Sequence, residues 1–164
     1  MIVSETPLIG FGDNWRVDVL PASVRLVKKF GVIIPENSLR TLTGHNKITT
    51  AGINWIRDRI NNGAADSMTH MARGSNNTAA SASDTTLNTE TERNALTSTT
   101  ISSGQIVYQY LEPSTANNGQ TFREAGLFNA ASGGTMLNRW THPDIVKNSS
   151  IQILYTVTLT LSEV

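Results

Sequence analysis

The chain has 164 residues, enough for one ordinary domain, and its 13 basic and 13 acidic residues leave no formal net charge. That balance provides no long-range field to gather nucleic acid or an anionic membrane surface, and the absence of cysteine excludes disulfides, thiolate catalysis and cysteine-held zinc. Ser, Thr and Asn make up roughly a third of the residues against 16% charged, so hydroxyls and amides replace charge on the surface, and a near-neutral chain of this kind has little protection against self-association.

In chain order, the opening M-I-V-S-E-T-P-L-I-G has neither the basic start nor the apolar core of a secretory leader, and no apolar run of membrane-spanning length follows it. Synthesis in the cytoplasm without membrane insertion is expected, with any exit inside an assembled particle. Pro7, Gly10 and Gly12 interrupt residues 1–15, which read as an arm that a neighbour would order. Residues 17–34 are β-branched and apolar, broken for a helix by Pro21 and Gly31. They read as strand at a sheet edge, with Lys28 and Lys29 discouraging unwanted strand addition. The expected division is a docking arm over 1–42 and a folded domain over 43–164.

One helix is predicted, capped by Thr49 or Thr50, running to Asn62 and stopped by Gly63. Ile53, Ile56 and Ile60 form its apolar stripe with Trp55 at the margin, while Arg57, Asp58 and Arg59 form a solvated face, so the helix is expected to plug a sheet. M-T-H-M-A-R-G then reads as a short strand, residues 75–83 as a low-complexity and mobile loop, and residues 84–93 as a turn of helix followed by extended chain. Residues 101–111 read as strand, ended by Pro113 and the soft loop S-T-A-N-N-G.

Residues 121–140 describe a β-hairpin. Phe122, Leu127 and Phe128 face Met136, Leu137 and Trp140 across a polar turn at 129–134, where Gly133 and Gly134 can take positive φ. Arg123 and Glu124 are sequence neighbours on one strand and so point to opposite faces. Glu124 therefore needs another cation, and Arg139 on the partner strand or Arg93 is the expected one. With Gly126 these residues carry a structural role.

The last segment alternates without a break. Ile151, Ile153, Tyr155, Val157, Leu159 and Leu161 face the core, and Leu154 alone breaks the polar face. The expected fold is mainly β with one helix: an antiparallel β-sandwich capped by that helix, plus the extended N-terminal arm.

Reaction chemistry is sparse. His45, His70 and His142 each stand alone, and no nucleophile elbow or phosphate-binding glycine loop is present. Asp84, Glu90, Glu92, Glu112 and Glu124 are enough carboxylates for a glycosidase pair, but spacing does not set two of them across a cleft. The N-x-S/T signals at Asn76 and Asn148 have meaning only for a glycosylating route. No catalytic residue, cofactor or metal is expected.

The phrase R-E-A-G-L-F-N-A-A-S-G-G-T-M-L-N-R resembles one in tail-collar and tail-fibre proteins of tailed bacteriophages. N-K-I-T-T-A-G-I-N-W-I, M-A-R-G, D-T-T-L-N-T-E-T-E-R and the final strand follow the order of that family, covering residues 46–164. The chain departs from it at Arg73-Gly74-Ser75-Asn76, where such proteins have a G-x-G, and has no repetitive shaft after the domain. The resemblance implies a structural virion component of the tail, collar, baseplate or fibre anchor. Its expected partners are copies of itself, neighbouring virion proteins and a host-surface receptor, with no nucleic acid. The apolar stretches at 32–34 and around Trp140 are the expected contacts. A capsid decoration or vertex spike is the alternative within assemblies. A carbohydrate-binding module stacking sugars on Trp15, Trp55, Tyr108, Tyr110 or Trp140 is the alternative of another class.

Overall fold

The computed structural model describes residues 9–24, 26–35, 37–63 and 65–163, with backbone alone at 9–13 and 162–163. Its elements are β1 (Ile9–Pro21), β2 (Val27–Lys29), β3 (Val32–Ile34), β4 (Arg40–His45), β5 (Lys47–Ile48), α1 (Thr50–Asn62), β6 (His70–Gly74), β7 (Glu90–Ala95), β8 (Ser98–Ser102), β9 (Gln105–Glu112), β10 (Thr121–Phe128), β11 (Met136–Val146) and β12 (Ile151–Glu163). Two five-stranded antiparallel sheets, β4-β1-β12-β9-β8 and β5-β11-β10-β6-β7, form a sandwich with one helix, and β2-β3 is a separate ribbon.

The alternating last strand sets the core of the first sheet. Ile153, Tyr155, Val157 and Leu159 of β12 are buried with Val17 and Val19 of β1, against Met71, Ala125, Leu127, Leu137 and Trp140 of the second sheet. Each of the Val, Leu, Ile and Met side chains among them contributes about 1.5–3 kcal/mol by leaving water. Ile151 is half-buried, but Leu161, expected in the core, is 44% exposed at the far end of the strand. Leu154, the exception to the polar face, is buried on that face with Leu20 and Ile33 because the β2-β3 ribbon covers it. Gln109 fastens the ribbon by imitating a strand. Its Oε1 accepts from Ile33 N at 2.6 Å and its Nε2 donates to Ile33 O at 2.8 Å.

Two expectations about the first 42 residues change. Residues 17–34 are not one edge strand. β1 ends at Pro21, and the chain then reverses at Phe30 and Gly31, whose φ values of 52° and 85° give the tight turn of the ribbon. Lys28 and Lys29 are exposed on its outer strand. The stretch read as an arm is sheet from Ile9 onward, because β1 pairs with β12 along all its residues and with β4 over Asn14–Val19. Its glycines hide the alternation until Trp15, Val17 and Val19, all buried. Residues 1–8 lie outside the described residues.

The helix has the expected bounds. Thr49 caps it, its Oγ1 accepting from Gly52 N at 2.9 Å and donating to Met136 O at 2.6 Å, and Gly63 ends it in the left-handed region with φ 68°. Its buried face is different. Gly52, Trp55 and Ile56 face the protein, while Ile53 is 48% and Ile60 73% exposed. The reason is a close backbone approach: a Cβ on Gly52 would lie 2.1 Å from Leu137 O, so the glycine side of the helix, not the isoleucine stripe, meets β11. Trp55 Nε1 donates to Asp66 O at 2.7 Å and fixes the orientation.

Because the obstructing atom at Gly52 is a backbone carbonyl that no rotamer change can move, Gly52→Ala is expected to destabilise the fold by about 2–3 kcal/mol. Urea unfolding followed by circular dichroism measures this, and an unchanged midpoint would refute the packing argument.

Candidate functional site

The hairpin predicted from 121–140 is formed by β10 and β11, with register shifts at Phe122/Glu124 and Leu127/Phe128. Asn129 Oδ1 accepts from Thr135 N at 2.7 Å across the turn, and Gly133 and Gly134 take φ values of 58° and 71°. Phe122, Leu127, Phe128 and Leu137 are fully buried. Arg123 leaves the strand on the solvent side and grips Asp144 through two bonds of 2.8 Å, which hold that carboxyl below its usual range.

Glu124 points the other way and is wholly buried. Its Oε2 accepts from Arg139 Nε at 2.8 Å and from Asn88 N at 3.1 Å, and its Oε1 accepts from Thr89 N at 2.8 Å. Arg139, equally buried, donates onward to Thr78 O at 2.9 Å and Asp84 Oδ2 at 2.9 Å. This pair pins residues 75–89 onto the sheet. The low-complexity stretch expected to be mobile is thus tied by its main chain, and no helical turn forms at 84–93 because Glu124 takes the N–H groups of Asn88 and Thr89. Gly74 and Gly126 allow the close lie: a Cβ at Gly74 would sit 2.3 Å from Thr89 O, and one at Gly126 3.0 Å from Leu87 Cδ2. Of the two cations expected for Glu124, Arg139 is the one that meets it. Arg93 instead pairs with Glu90, donates to Gly133 O at 2.7 Å in the hairpin turn, and lies 3.6 Å over the Phe128 ring.

A second buried pair escaped the sequence reading. Arg73 of β6 and Glu112 of β9, both fully buried, bridge the two sheets, with Arg73 lying 4.2 Å over Tyr110. Burial pushes the Tyr110 hydroxyl up to about 12, against the opposing pull of Arg73. The signal was present: Arg73 is two residues from Met71 on the same strand and therefore shares its core-facing side.

A third cluster links the sheets by rings. Trp15 stacks on Trp140 at 6.2 Å, and His142 lies 6.3 Å from Trp15 and 6.0 Å from Tyr155. His142 Nδ1 is 2.9 Å from Pro143 O, which assigns that nitrogen the proton, while Nε2 is buried without a hydrogen-bond partner. Burial lowers the His142 pKa and raises that of Tyr155. The aromatics considered for sugar stacking, Trp15, Trp55, Tyr108, Tyr110 and Trp140, are all buried in the core. Asp84, Glu90, Glu112 and Glu124 each face a guanidinium. Among the described residues no group of three potential ligands gathers to hold a metal, and no helix is long and apolar enough to cross a membrane.

Of the two apolar stretches expected as contacts, Trp140 and Ile33 are core, while Ile34 is exposed on the ribbon with Val27 and Phe30. A groove of about 240 Å³ opens between α1 and one end of the first sheet, lined by Trp55, Ile56 and Ile60, by Met68, and by Ile101, Ile106, Tyr108, Leu159 and Leu161. Ile101 is 78% exposed at its rim. Among the described residues Arg59 is the one charged member of its lining, and Ser67 and Thr99 are polar members. Comparison with protein-family models, with curated proteins and with solved structures finds no match.

Glu124→Gln removes the charge opposite a buried guanidinium and is expected to cost about 3–5 kcal/mol, with hydrogen exchange rising first across 75–89. A variant with native stability and native exchange there would show that the pair does not hold the loop. For His142, the folded-state pKa lies below the unfolded value near 6.5, so stability is complete above that pH, falls as pH drops through it, and levels off below the folded value. His142→Gln is expected to flatten this slope below about pH 6.5 in pH-dependent denaturation, and an unaltered slope would assign it to other groups.

Proposed function

We propose that the protein is a structural component of a tailed-phage virion, in the tail, collar, baseplate or fibre anchor, working by association with copies of itself and with neighbouring virion proteins. The observation that carries the assembly part is the groove beside α1. Ile60, Ile101 and Leu161 stand exposed around it, while the polar loops elsewhere are tied down by buried arginine pairs. An apolar rim of that kind on a domain without net charge suits contact with another chain. The virion part is supported by the hairpin phrase and by the order of the segments around it, which resemble the phage tail-associated family. The sandwich supplies a stiff unit. Its layers are crossed by the Arg73–Glu112 pair and its hairpin is locked to the adjoining loop.

Light scattering and native mass spectrometry of the purified chain are expected to give a homo-oligomer at micromolar concentration, and gold-labelled antibody on particles to mark the tail end. A monomer at all concentrations, or labelling confined to the capsid surface, would overturn the reading.

A further inference from the structure

The two sheets of the sandwich end in the edge strands β4, β8, β5 and β7. Three of these carry charge of the kind that discourages a further strand: Arg40 in β4, Lys47 in β5, and Glu90, Glu92 and Arg93 in β7. β8, S-T-T-I-S, has neither charge nor proline and is exposed at Thr99, Ile101 and Ser102. Exposed apolar side chains stand beside both of its faces. Thr99 and Ile101 line the groove with Ile60 and Leu161. On the opposite face Ser98 Oγ donates to Gly31 O at 3.0 Å, next to the exposed Phe30.

The hairpin joining β8 to β9 sets the direction of the main-chain groups. Ser102 and Gln105 close its two-residue turn, so Ser98, Thr100 and Ser102 direct N–H and C=O to β9, and Thr99 and Ile101 direct theirs outward. Among the described residues no strand pairs with that outer edge. We infer that β8 of a second copy pairs with it, antiparallel about a two-fold axis through Thr100, joining two five-stranded sheets into one. The inference rests on the assembly reading above and names the contact through which it works. The strand is self-complementary in this register. Thr99 meets Ile101 of the second copy in both halves of the contact, and each such pair exchanges two main-chain bonds, so every outward group is used. A slip of two residues would set Thr99 against Ser103, or Ile101 against Thr97, outside the strand. Thr99 and Ile101 share the groove face, so each copy's Ile101 is laid about 5 Å from Thr99 at the mouth of the other's groove. Phe30, Ile60, Ile101 and Leu161, exposed around the edge and its groove, present roughly 500 Å² between them. With the main chain of the strand they approach the approximately 800 Å² that each partner of a stable interface buries.

Single cysteines test the register, because the chain has none of its own. Facing residues of a non-hydrogen-bonded antiparallel pair have Cα atoms about 4.5 Å apart, within the roughly 4.4–6.8 Å of a disulfide. Thr100→Cys, on the axis, is therefore expected to give a covalent dimer on mild oxidation. Ser98→Cys is expected to give none alone, and to cross-link when mixed with Ser102→Cys. Ile101→Asp changes an exposed side chain, its fold is checked by circular dichroism, and in sedimentation its dissociation constant is expected to rise at least about tenfold over that of the native chain. If the native chain assembles but Thr100→Cys gives no cross-link, or Ile101→Asp associates as tightly as native, the inference is overturned and the assembly reading stands. A monomeric native chain removes both. Cross-linking by Ser98→Cys alone as efficient as by Thr100→Cys also overturns the inference.

Discussion

Glu124 is a carboxylate with no side-chain surface open to solvent, and the guanidinium of Arg139 beside it is equally buried. Taking both charges out of water costs several kcal/mol each, which their attraction offsets only when the remaining lone pairs and N–H groups find partners. They find them in one place. The carboxylate collects main-chain N–H groups at Asn88 and Thr89, and the guanidinium collects carbonyl and carboxylate oxygens at Thr78 and Asp84. The cost of burying the pair is therefore met by ordering residues 75–89, a polar stretch that has little apolar surface of its own to bury. The outer face of the second sheet is closed by hydrogen bonds where many sandwiches would use grease, with Ala72, Leu87, Phe128 and Met136 as a small apolar patch beneath.

The same economy of charge recurs across the molecule. Arg73 and Glu112 tie the two layers from inside, and Asp18 is enclosed by Arg16, Ser38 and Thr41 on the outer face of the first sheet. Lys147 holds Ser114 O and Asn118 Oδ1 in the loop before β10, its ammonium made easier to deprotonate by burial. A chain with only 16% charged residues uses several of them inside. Such pairs restrict the alternatives open to a fold more than they add stability, since a shifted register would leave a buried charge unpaired. The outcome is a sandwich pinned by buried pairs, with Ile60, Ile101 and Leu161 exposed around the groove beside α1 and Val27, Phe30 and Ile34 exposed on the β2-β3 ribbon.

Segments governed by near neighbours were legible in the residues. Thr49 and Gly63 bound the helix because a cap is a contact over three or four positions. The paired glycines reverse the hairpin because only they tolerate positive φ there, and the strict alternation of β12 marks its core face from Ile153 to Leu159. The Glu124–Arg139 meeting was also accessible, since two strands joined by a short turn leave few cross-strand partners for a buried acid. What those residues concealed was equally specific. The glycines of residues 9–13 disguised a central strand as an arm, and the isoleucine stripe of α1 implied the wrong buried face.

Those misreadings share a physical cause: they were decided by chain distant in sequence. Composition, caps, turns and alternation determined by themselves that this is a mainly β, cysteine-free protein with one helix between Thr49 and Gly63 and a rigid hairpin near its end. Only the tertiary structure decided that α1 turns Gly52 toward the carbonyl of Leu137, that Arg73 meets Glu112 across the layers, and that Ile60, Ile101 and Leu161 are left around a common groove. Local rules specify how a segment bends and which of its faces could be buried. The choice among those faces belongs to whichever backbone approaches closest, and that is a property of the folded whole.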